Sequence, residues 1–365
     1  MRHFVSTDDF SNFEIQQLFR LSDQMKSNLA TWSGFCAGKV LATLFFEPST
    51  RTRLSFESAM ARLDGRTLGF TDPSASSVAK GETLADTTRM VSNYADLIVV
   101  RHHLAGAAQV MADYASVPVI NGGDGAHSHP TQALIDLYTI QNRKGNVADL
   151  TIGICGDLRY SRSAHSLSKL IARFGGRQIH VAPDGFHMPN WILNRIQKQH
   201  SQKPVIVKHL PEIINQLDVI YVNRLQEERL PSEIDPIKAR TSYQLNAEIM
   251  KAAKDSAIIM HPLPRVNELA LELDEDPRAA YFEQSSNGVP LRMALIASLQ
   301  GLEHLVLTDP PLLRMSKKQT DLVCKNDNCI ISAENYVVNE IKQNDACIYC
   351  ETIILDYKNI DAKIK

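Results

Sequence analysis

The stretch from Lys39 to Gly65, KVLATLFFEPSTRTRLSFESAMARLDG, leaves little freedom for the chain around it. Lys39 to Phe46 is almost continuously apolar, the pattern of a strand covered on both faces inside a parallel sheet. Pro48 keeps the residue before it out of helical geometry, and Ser49 or Thr50 then serves as the N-cap of a helix. Phe56, Ala59, Met60 and Leu63 share one face of that helix, and Gly65 sits where a C-terminal cap is expected. A helix start offers unpaired N–H groups and a partial positive charge. Hydroxyls at Ser49, Thr50 and Thr52 and guanidiniums at Arg51 and Arg53 make this one an anion site, most naturally for a phosphate. On spacing alone, a well-capped surface helix with ordinary charges reads the same way.

A chain of 365 residues exceeds what one core usually supports, so two or three domains are expected. With 44% hydrophobic and 22% charged residues, the composition is that of an ordinary globular protein. A net charge of −2 gives no whole-chain reason to expect nucleic acid or an anionic membrane as partner. The N-terminus lacks the apolar core of a secretory signal, and no run approaches the roughly 18 apolar residues of a membrane span. A cytoplasmic location is therefore expected.

Along the chain, Phe10 to Lys26 has helical periodicity through Phe13, Leu18 and Leu21. A short strand near Arg66 to Phe70 precedes a polar loop, TDPSASSVAKGET, that is either a floppy connection or a mobile, functional one. A helix over about Leu84 to Tyr94 follows. Strands at Leu97 to Val100 and Val117 to Ile120 end in Arg101 and in Asn121 with its turn GGDGAHSH. Polar residues at the carboxyl ends of successive strands are where open α/β sheets bind ligands. Pro130 opens a helix just after His129, with Ala133, Leu134, Leu137 and Tyr138 as its apolar face and Gly145 as its stop.

The pattern restarts at Leu150 to Cys155. GDLRYSR leads into a helix with Leu167, Leu170, Ile171 and Phe174 inward, stopped by Gly175-Gly176. It resembles a dinucleotide-binding unit, but GxGxxG is absent and a nucleotide cofactor is not expected. Further strands are expected at Gln178 to Ala182, Val205 to Val207, Val219 to Val222 and Ala257 to Met260. Asn287 to Leu302 reads as a long helix with Met293, Ile296 and Ala297 inward. The expected fold is α/β: two doubly wound parallel-sheet domains linked by helices, plus a small C-terminal zinc-binding β module. The boundaries place one domain at 1–140, completed by the helix 287–306, a second at 141–286, a linker at 307–319 and the module at 320–365.

In the tail, Cys324-x4-Cys329 and Cys347-x2-Cys350 are separated by 17 residues. Two such knuckles feeding one tetrahedral zinc is the natural reading, with free thiols or disulfides as alternatives. Zinc would supply stability that so small a module lacks. Thr320 to Lys365 holds five Lys against eight Asp plus Glu, which argues for a protein contact rather than nucleic acid.

Four separated motifs, FEPSTRTRLSFESA, SSVAKGETLADT, HPTQALIDL and HPLPR, together resemble the carbamoyltransferase family over roughly residues 1 to 308. Within it, VRHH, GDLRYSRSAHSL, NRLQEER and the Pro of His261-Pro262-Leu263-Pro264 are similar to the aspartate carbamoyltransferases. The ornithine enzymes carry a Cys in the corresponding HCLP. The resemblance implies transfer of a carbamoyl group from carbamoyl phosphate to L-aspartate, giving N-carbamoyl-L-aspartate and phosphate, the committed step of de novo pyrimidine biosynthesis. It makes 1–140 the carbamoyl phosphate-binding domain and 141–286 the aspartate-binding domain, in a homotrimer with shared active sites. No cofactor is implied in the chemical step.

The same resemblance assigns Ser49, Thr50, Arg51 and Thr52 to the phosphate, and Thr52, Arg101 and His129 to the carbonyl oxygen as negative charge develops. Gln132, with Pro262 and the backbone carbonyl of Leu263, is implied to hold the carbamoyl NH2. Arg162, Arg224 and Gln226 are implied to bind aspartate. Arg224 and Gln226 alternate after a strand and so share a face. On the polar loop, Ser76 is implied to reach carbamoyl phosphate, and Lys80 both substrates, from the neighbouring subunit. Taken singly, His129 reads as a structural cap, Lys80 as a solvated side chain and each Arg as a surface ion pair.

VCKNDNCIISAE and CIYCE resemble the zinc domain of the separate regulatory chain of aspartate carbamoyltransferases, here fused to the catalytic chain. The spacing between the cysteine pairs is shorter than in those chains, and their nucleotide-binding domain is absent. An assembly role without built-in nucleotide control is expected, with the module as a candidate contact for pairing trimers. An ornithine-type transferase and a non-catalytic subunit are the rival readings. The first is disfavoured by Arg162 and Arg224, which would repel an amine, and the second by the intact Ser49 to Arg53, Lys80, Arg101, His129 and Gln132.

Overall fold

The computed structural model describes residues 1–72, 77–226, 241–301, 318–319, 324–337, 340–341 and 346–354. Two compact units emerge, Met1–Ser128 with Arg292–Lys365, and His129–Leu291.

The first unit opens with α1 (Asn12–Ser27), started by a reciprocal capping box between Ser11 and Glu14. Ile15, Leu18, Phe19, Leu21 and Met25 form its buried face. Phe13, expected to point inward, is 55% exposed, because it stands about 140° around the helix from Leu18. A parallel sheet follows: β1 (Val40–Phe45), β2 (Arg66–Phe70), β3 (Leu97–His102) and β4 (Val119–Asp124), in the order β2-β1-β3-β4. Leu41, Ala42, Thr43, Leu44 and Phe45 are all buried, as the unbroken apolar run requires.

Between β1 and β2 lies α2 (Thr50–Arg62), with Phe56, Ala59, Met60 and Leu63 buried. Its end departs from expectation. Asp64, not Gly65, takes the left-handed conformation (φ 64°), and its N–H donates to the carbonyl of Ala61. Gly65 donates to Met60 at 3.0 Å, completing a Schellman motif. Gly65 leaves room for a side chain instead: a Cβ there would lie 2.3 Å from the Met60 methyl and would make the Met60 side chain shift. Arg292 Nη1 donates to Ser55 Oγ at 2.8 Å and its guanidinium lies over the Phe56 ring, tying α2 to the helix that returns at the end of the chain.

The unit continues with α3 (Leu84–Ser92) and α4 (Ala107–Tyr114). β4 runs through Gly122 and Gly123, where a turn was expected. Its backbone passes close to β3: a Cβ on Gly122 would sit 3.1 Å from the Val100 carbonyl.

The second unit begins with α5 (Pro130–Lys144) and carries β5 (Thr151–Cys155), β6 (Arg177–Val181), β7 (Val205–Val207), β8 (Val219–Val222) and β9 (Ile258–Met260). These form one parallel sheet in the order β7-β6-β5-β8-β9. Its described α-helices after α5 include α6 (Arg162–Arg173), α7 (Asn190–His200), α8 (Ala247–Met250) and α9 (Tyr281–Ser286). Gly175, at φ 83°, ends α6 as its sequence position suggests. The last helix, α10 (Gly288–Leu299), buries Met293, Ile296 and Ala297. No helix among the described residues is long and apolar enough to cross a membrane.

The described part of the tail belongs to the first unit. Cys324, Cys329, Ile330, Val337, Cys347, Tyr349, Cys350 and Ile354 share one core with Leu84, Ala105, Ala107, Ala108 and Met111. Among the described residues, the apolar side chains of the module pack into the core of α3 and α4 rather than into one of their own. Lys318–Gln319 and Glu340–Ile341 pair as a short antiparallel ladder, β10 with β11. The rest of the expected linker lies outside the described residues.

Candidate active site and cysteine cluster

Each sheet reverses its strand order once, between β1 and β3 in the first unit and between β5 and β8 in the second. Crevices beyond the carboxyl ends of strands at such reversals are the natural ligand sites of open parallel sheets.

In the first unit, β1 delivers the chain to Ser49, the N-cap of α2, whose extended backbone (φ −161°, ψ 101°) makes no side-chain cap bond. Neither Thr50, Arg51 nor Thr52 is acidic, so no carboxylate in this turn competes for its amides. Thr52 is buried, with its methyl facing Gly122, while Thr50 and Arg51 are exposed. Arg101 stands opposite Phe45 on the adjacent strand, and Phe46 N–H donates to its carbonyl at 2.8 Å. Glu47, which no spacing or motif singles out, approaches Arg101 Nε at 3.4 Å. Ser49, Thr50, Arg51, Thr52 and Arg101 thus gather at one reversal point.

Arg53 does not join them. Its Nε donates to Glu57 at 2.6 Å, one turn along α2, and Thr43 Oγ1 lies 3.3 Å from the same oxygen. A charge-assisted bond along its own helix commits this guanidinium elsewhere. Lys80 is exposed at the end of a short 3-10 turn, Ser77–Lys80. Ser76 lies outside the described residues.

In the second unit, His129 immediately precedes α5, buried, with its N–H donating to Ser166 Oγ at 2.9 Å. Gln132 sits in the first turn of α5, half-buried, its amide nitrogen 2.7 Å from Asp136. β9 delivers the turn His261-Pro262-Leu263. Leu263 has φ 52°, a left-handed conformation that costs a non-glycine residue about 1–3 kcal/mol. Its N–H donates to His261 Nδ1 at 2.8 Å, and His261 Nε2 meets Glu268 at 2.9 Å, both side chains buried. Burial alone would raise the Glu268 pKa, but the hydrogen bond and charge of His261 hold it below the usual carboxylate range. His261 and Glu268 therefore lock a strained turn, a role that no local sequence pattern announces.

At the second reversal point, the turn after β5 is held by Asp157. Its Oδ1 accepts from the N–H groups of Arg159 and Tyr160, and its Oδ2 from that of Gln226. Arg162 opens α6, and Arg224 and Gln226 follow β8 with buried Leu225 between them, so the two half-buried side chains share a face. Residues 227–240, the remainder of NRLQEER included, lie outside the described residues.

The four tail cysteines are buried, and their sulfur atoms all lie within 4.8 Å of one another. Cys324 Sγ is 3.5 Å from Cys350 Sγ, and Cys329 Sγ is 3.9 Å from Cys347 Sγ. Tetrahedral metal–sulfur bonds of about 2.3 Å place sulfurs about 3.8 Å apart, so the cluster is close enough to hold one metal ion. The module also serves the catalytic fold. Glu334 and Tyr336 accept from the N–H groups of Leu84 and Ala85, the first two of α3. His127 bridges Asp124 at 2.9 Å and Glu351 at 3.8 Å. Burial alone would lower the His127 pKa, yet the two carboxylates push it up to about 9.

Two parallel sheets, each offering cationic and hydroxyl side chains at its reversal point, define a class of two-domain α/β proteins suited to anionic ligands. Comparison with known proteins identifies which. Residues 2–142 match the family description "Aspartate/ornithine carbamoyltransferase, carbamoyl-P binding domain", and residues 148–299 match the "Asp/Orn binding domain" of the same family. The aspartate carbamoyltransferase catalytic subunit of Clostridium botulinum is 47% identical over 302 residues, covering 82% of this chain and 98% of that one. That of Bifidobacterium adolescentis is 48% identical over 300 residues, 82% of this chain and 94% of the relative. Among solved structures, the catalytic subunit of M. Jannaschii aspartate transcarbamoylase is 42% identical, with a TM-score of 0.75 over 82% of this chain and 98% of its own. The Trypanosoma cruzi aspartate transcarbamoylase in complex with N-(phosphonacetyl)-L-aspartic acid is 38% identical, with a TM-score of 0.78 over 81% and 95%. The chain belongs to the aspartate/ornithine carbamoyltransferase family, among its aspartate carbamoyltransferase catalytic chains. Neither family description reaches past residue 299, and the cysteine module lies beyond it.

Proposed function

We propose that this chain is an aspartate carbamoyltransferase with a zinc module fused to it, working in the cytoplasm in pyrimidine biosynthesis. The observation that carries the reading is the start of α2, where a serine in the cap position makes no side-chain cap bond to the amides behind it. Ser49, Thr50, Arg51 and Thr52 grip the phosphate of carbamoyl phosphate there. Arg101 reaches phosphate and carbonyl oxygen, and with Thr52 and His129 it faces the oxyanion of the tetrahedral intermediate. Gln132 and the backbone at Pro262 and Leu263 hold the carbamoyl NH2. Arg162, Arg224 and Gln226 clamp the two carboxylates of L-aspartate, as forked guanidiniums suit them.

The aspartate amine attacks the carbonyl carbon, forming the C–N bond; the C–O bond to phosphate then breaks. The departing phosphate takes the amine proton. The rate gain comes from positioning and preorganised charge.

The domains follow the chain: 1–140 with the helix 287–306 for carbamoyl phosphate, 141–286 for aspartate, 307–319 as linker and 320–365 as module. A homotrimer lets Ser76 and Lys80 enter the neighbour's site. Cys324, Cys329, Cys347 and Cys350 bind one structural zinc, in a domain akin to that of aspartate carbamoyltransferase regulatory chains, and the module offers a surface for pairing trimers. An assay of carbamoylated product with L-aspartate or L-ornithine as acceptor tests the reading. Product is expected from aspartate alone; equal turnover of ornithine would refute the acceptor assignment.

A further inference from the structure

α5 carries one acid, Asp136, a single turn beyond Gln132. Asp136 is fully buried, and donors from three separate elements converge on it. Its Oδ1 accepts from Gln132 Nε2 at 2.7 Å and from Gln284 Nε2, on α9, at 2.6 Å. Its Oδ2 accepts from the Tyr221 hydroxyl, on β8, at 2.8 Å. Burial, reinforced by Asp136, keeps the Tyr221 pKa well above the ordinary phenol value, so the hydroxyl stays a donor. Gln284 in turn accepts from His261 N–H at 2.9 Å, at the head of the strained turn that ends in Leu263.

A side-chain amide has a donor end and an acceptor end, and which way it faces is set by its partners. A carboxylate only accepts. Gln132 must therefore turn its NH2 inward to Asp136 and its oxygen outward. Gln284 does likewise, and its outward oxygen is the one that takes the His261 N–H. We infer that Asp136 is a positioning residue for carbamoyl transfer: it fixes the polarity of Gln132, presenting an acceptor to the carbamoyl NH2, and ties Gln132 through Gln284 to the 261–263 turn. The inference rests on the proposal that Gln132 and Leu263 face that NH2. Its consequence is selectivity for a carbamoyl over an acyl group, because a methyl in place of NH2 leaves the outward acceptor without a donor.

Acetyl phosphate is the probe, since it keeps the phosphate and carbonyl and replaces only the NH2. Calorimetric titration gives the ratio of its Kd to that of carbamoyl phosphate. In Asp136→Leu, which removes both acceptor oxygens at similar volume, the amide of Gln132 loses its fixed partner, and this ratio is expected to fall about tenfold relative to wild type. Equal weakening of both ligands, or an unchanged ratio, would mark Asp136 as merely structural and overturn the inference. Gln132→Ala separates the two layers. If it retains the wild-type ratio, Gln132 does not face the NH2 and the underlying reading fails. If it loses the ratio while Asp136→Leu keeps it, only the role of Asp136 fails. Should Asp136→Leu not accumulate folded, Gln284→Met carries the test through the link to His261. A roughly threefold fall in the ratio is then expected, and an unchanged one overturns the inference.

Discussion

The starts of α2 and α6 follow strands at equivalent places in two sheets, and both have a serine in the cap position, yet they are finished differently. Ser161 Oγ accepts from the Ala164 N–H at 3.3 Å and donates to Asn223 at 2.8 Å, while Asp157 satisfies the amides of the turn before it. Ser49 makes no such bond. In the second unit the chain answers its own donors, and positive charge for a ligand has to come from side chains such as Arg162 and Arg224. In the first, the backbone itself remains available. A phosphate dianion rewards many converging donors, whereas a dicarboxylate rewards two separated forks.

The largest effect that sharpens this contrast is catalytic. Arg101→Ala should lower kcat by about 10³ by removing a donor to the oxyanion, whereas Arg162→Ala should act mainly on KM for aspartate. Steady-state kinetics in both substrates separates these outcomes, and a change in KM for carbamoyl phosphate alone in Arg162→Ala would break the division of labour. Next comes the cysteine module, which should carry one zinc per chain by metal analysis. Cys329→Ser should abolish that metal and destabilise the first unit by about 3 kcal/mol or more, seen as a lowered Tm, since Glu334 and Tyr336 would leave α3.

Smaller still is the difference between the two serines. Ser161→Ala should cost about 1–2 kcal/mol in denaturant unfolding, and Ser49→Ala less than about 0.5 kcal/mol while raising KM for carbamoyl phosphate. The smallest effect is one of pH. His102 at the end of β3 and His180 in β6 are both lowered to about 3, chiefly by burial. Below pH 6.5 the unfolded chain binds protons that these buried imidazoles refuse, so stability falls as pH drops. Each contributes a loss of about 0.8 kcal/mol by pH 6, and His180→Gln should remove its share of that slope.

Much of this was legible locally. The β1–α2 run, the helix opened by Pro130 and the stop at Gly175 follow from periodicity and caps, which depend on near neighbours. What failed to show depends on distant ones or on competition. Arg53 reads as part of the anion site until Glu57, on its own helix, is weighed against a ligand. Phe13 lies off the buried stripe. The module's hold on α3 joins Leu84 to Glu334, and the network under Gln132 joins Asp136 to Gln284. No periodicity links positions so far apart, and Asp136 looks like any polar residue of an amphipathic helix until its partners are known.

The central claim, that the uncapped start of α2 is kept for a phosphate, is met most directly by calorimetric titration of carbamoyl phosphate without aspartate. Wild-type chain should bind it at one saturable site per subunit, and Arg51→Ala, equally folded, should bind at least about a hundredfold more weakly. The same affinity in both proteins would contradict it.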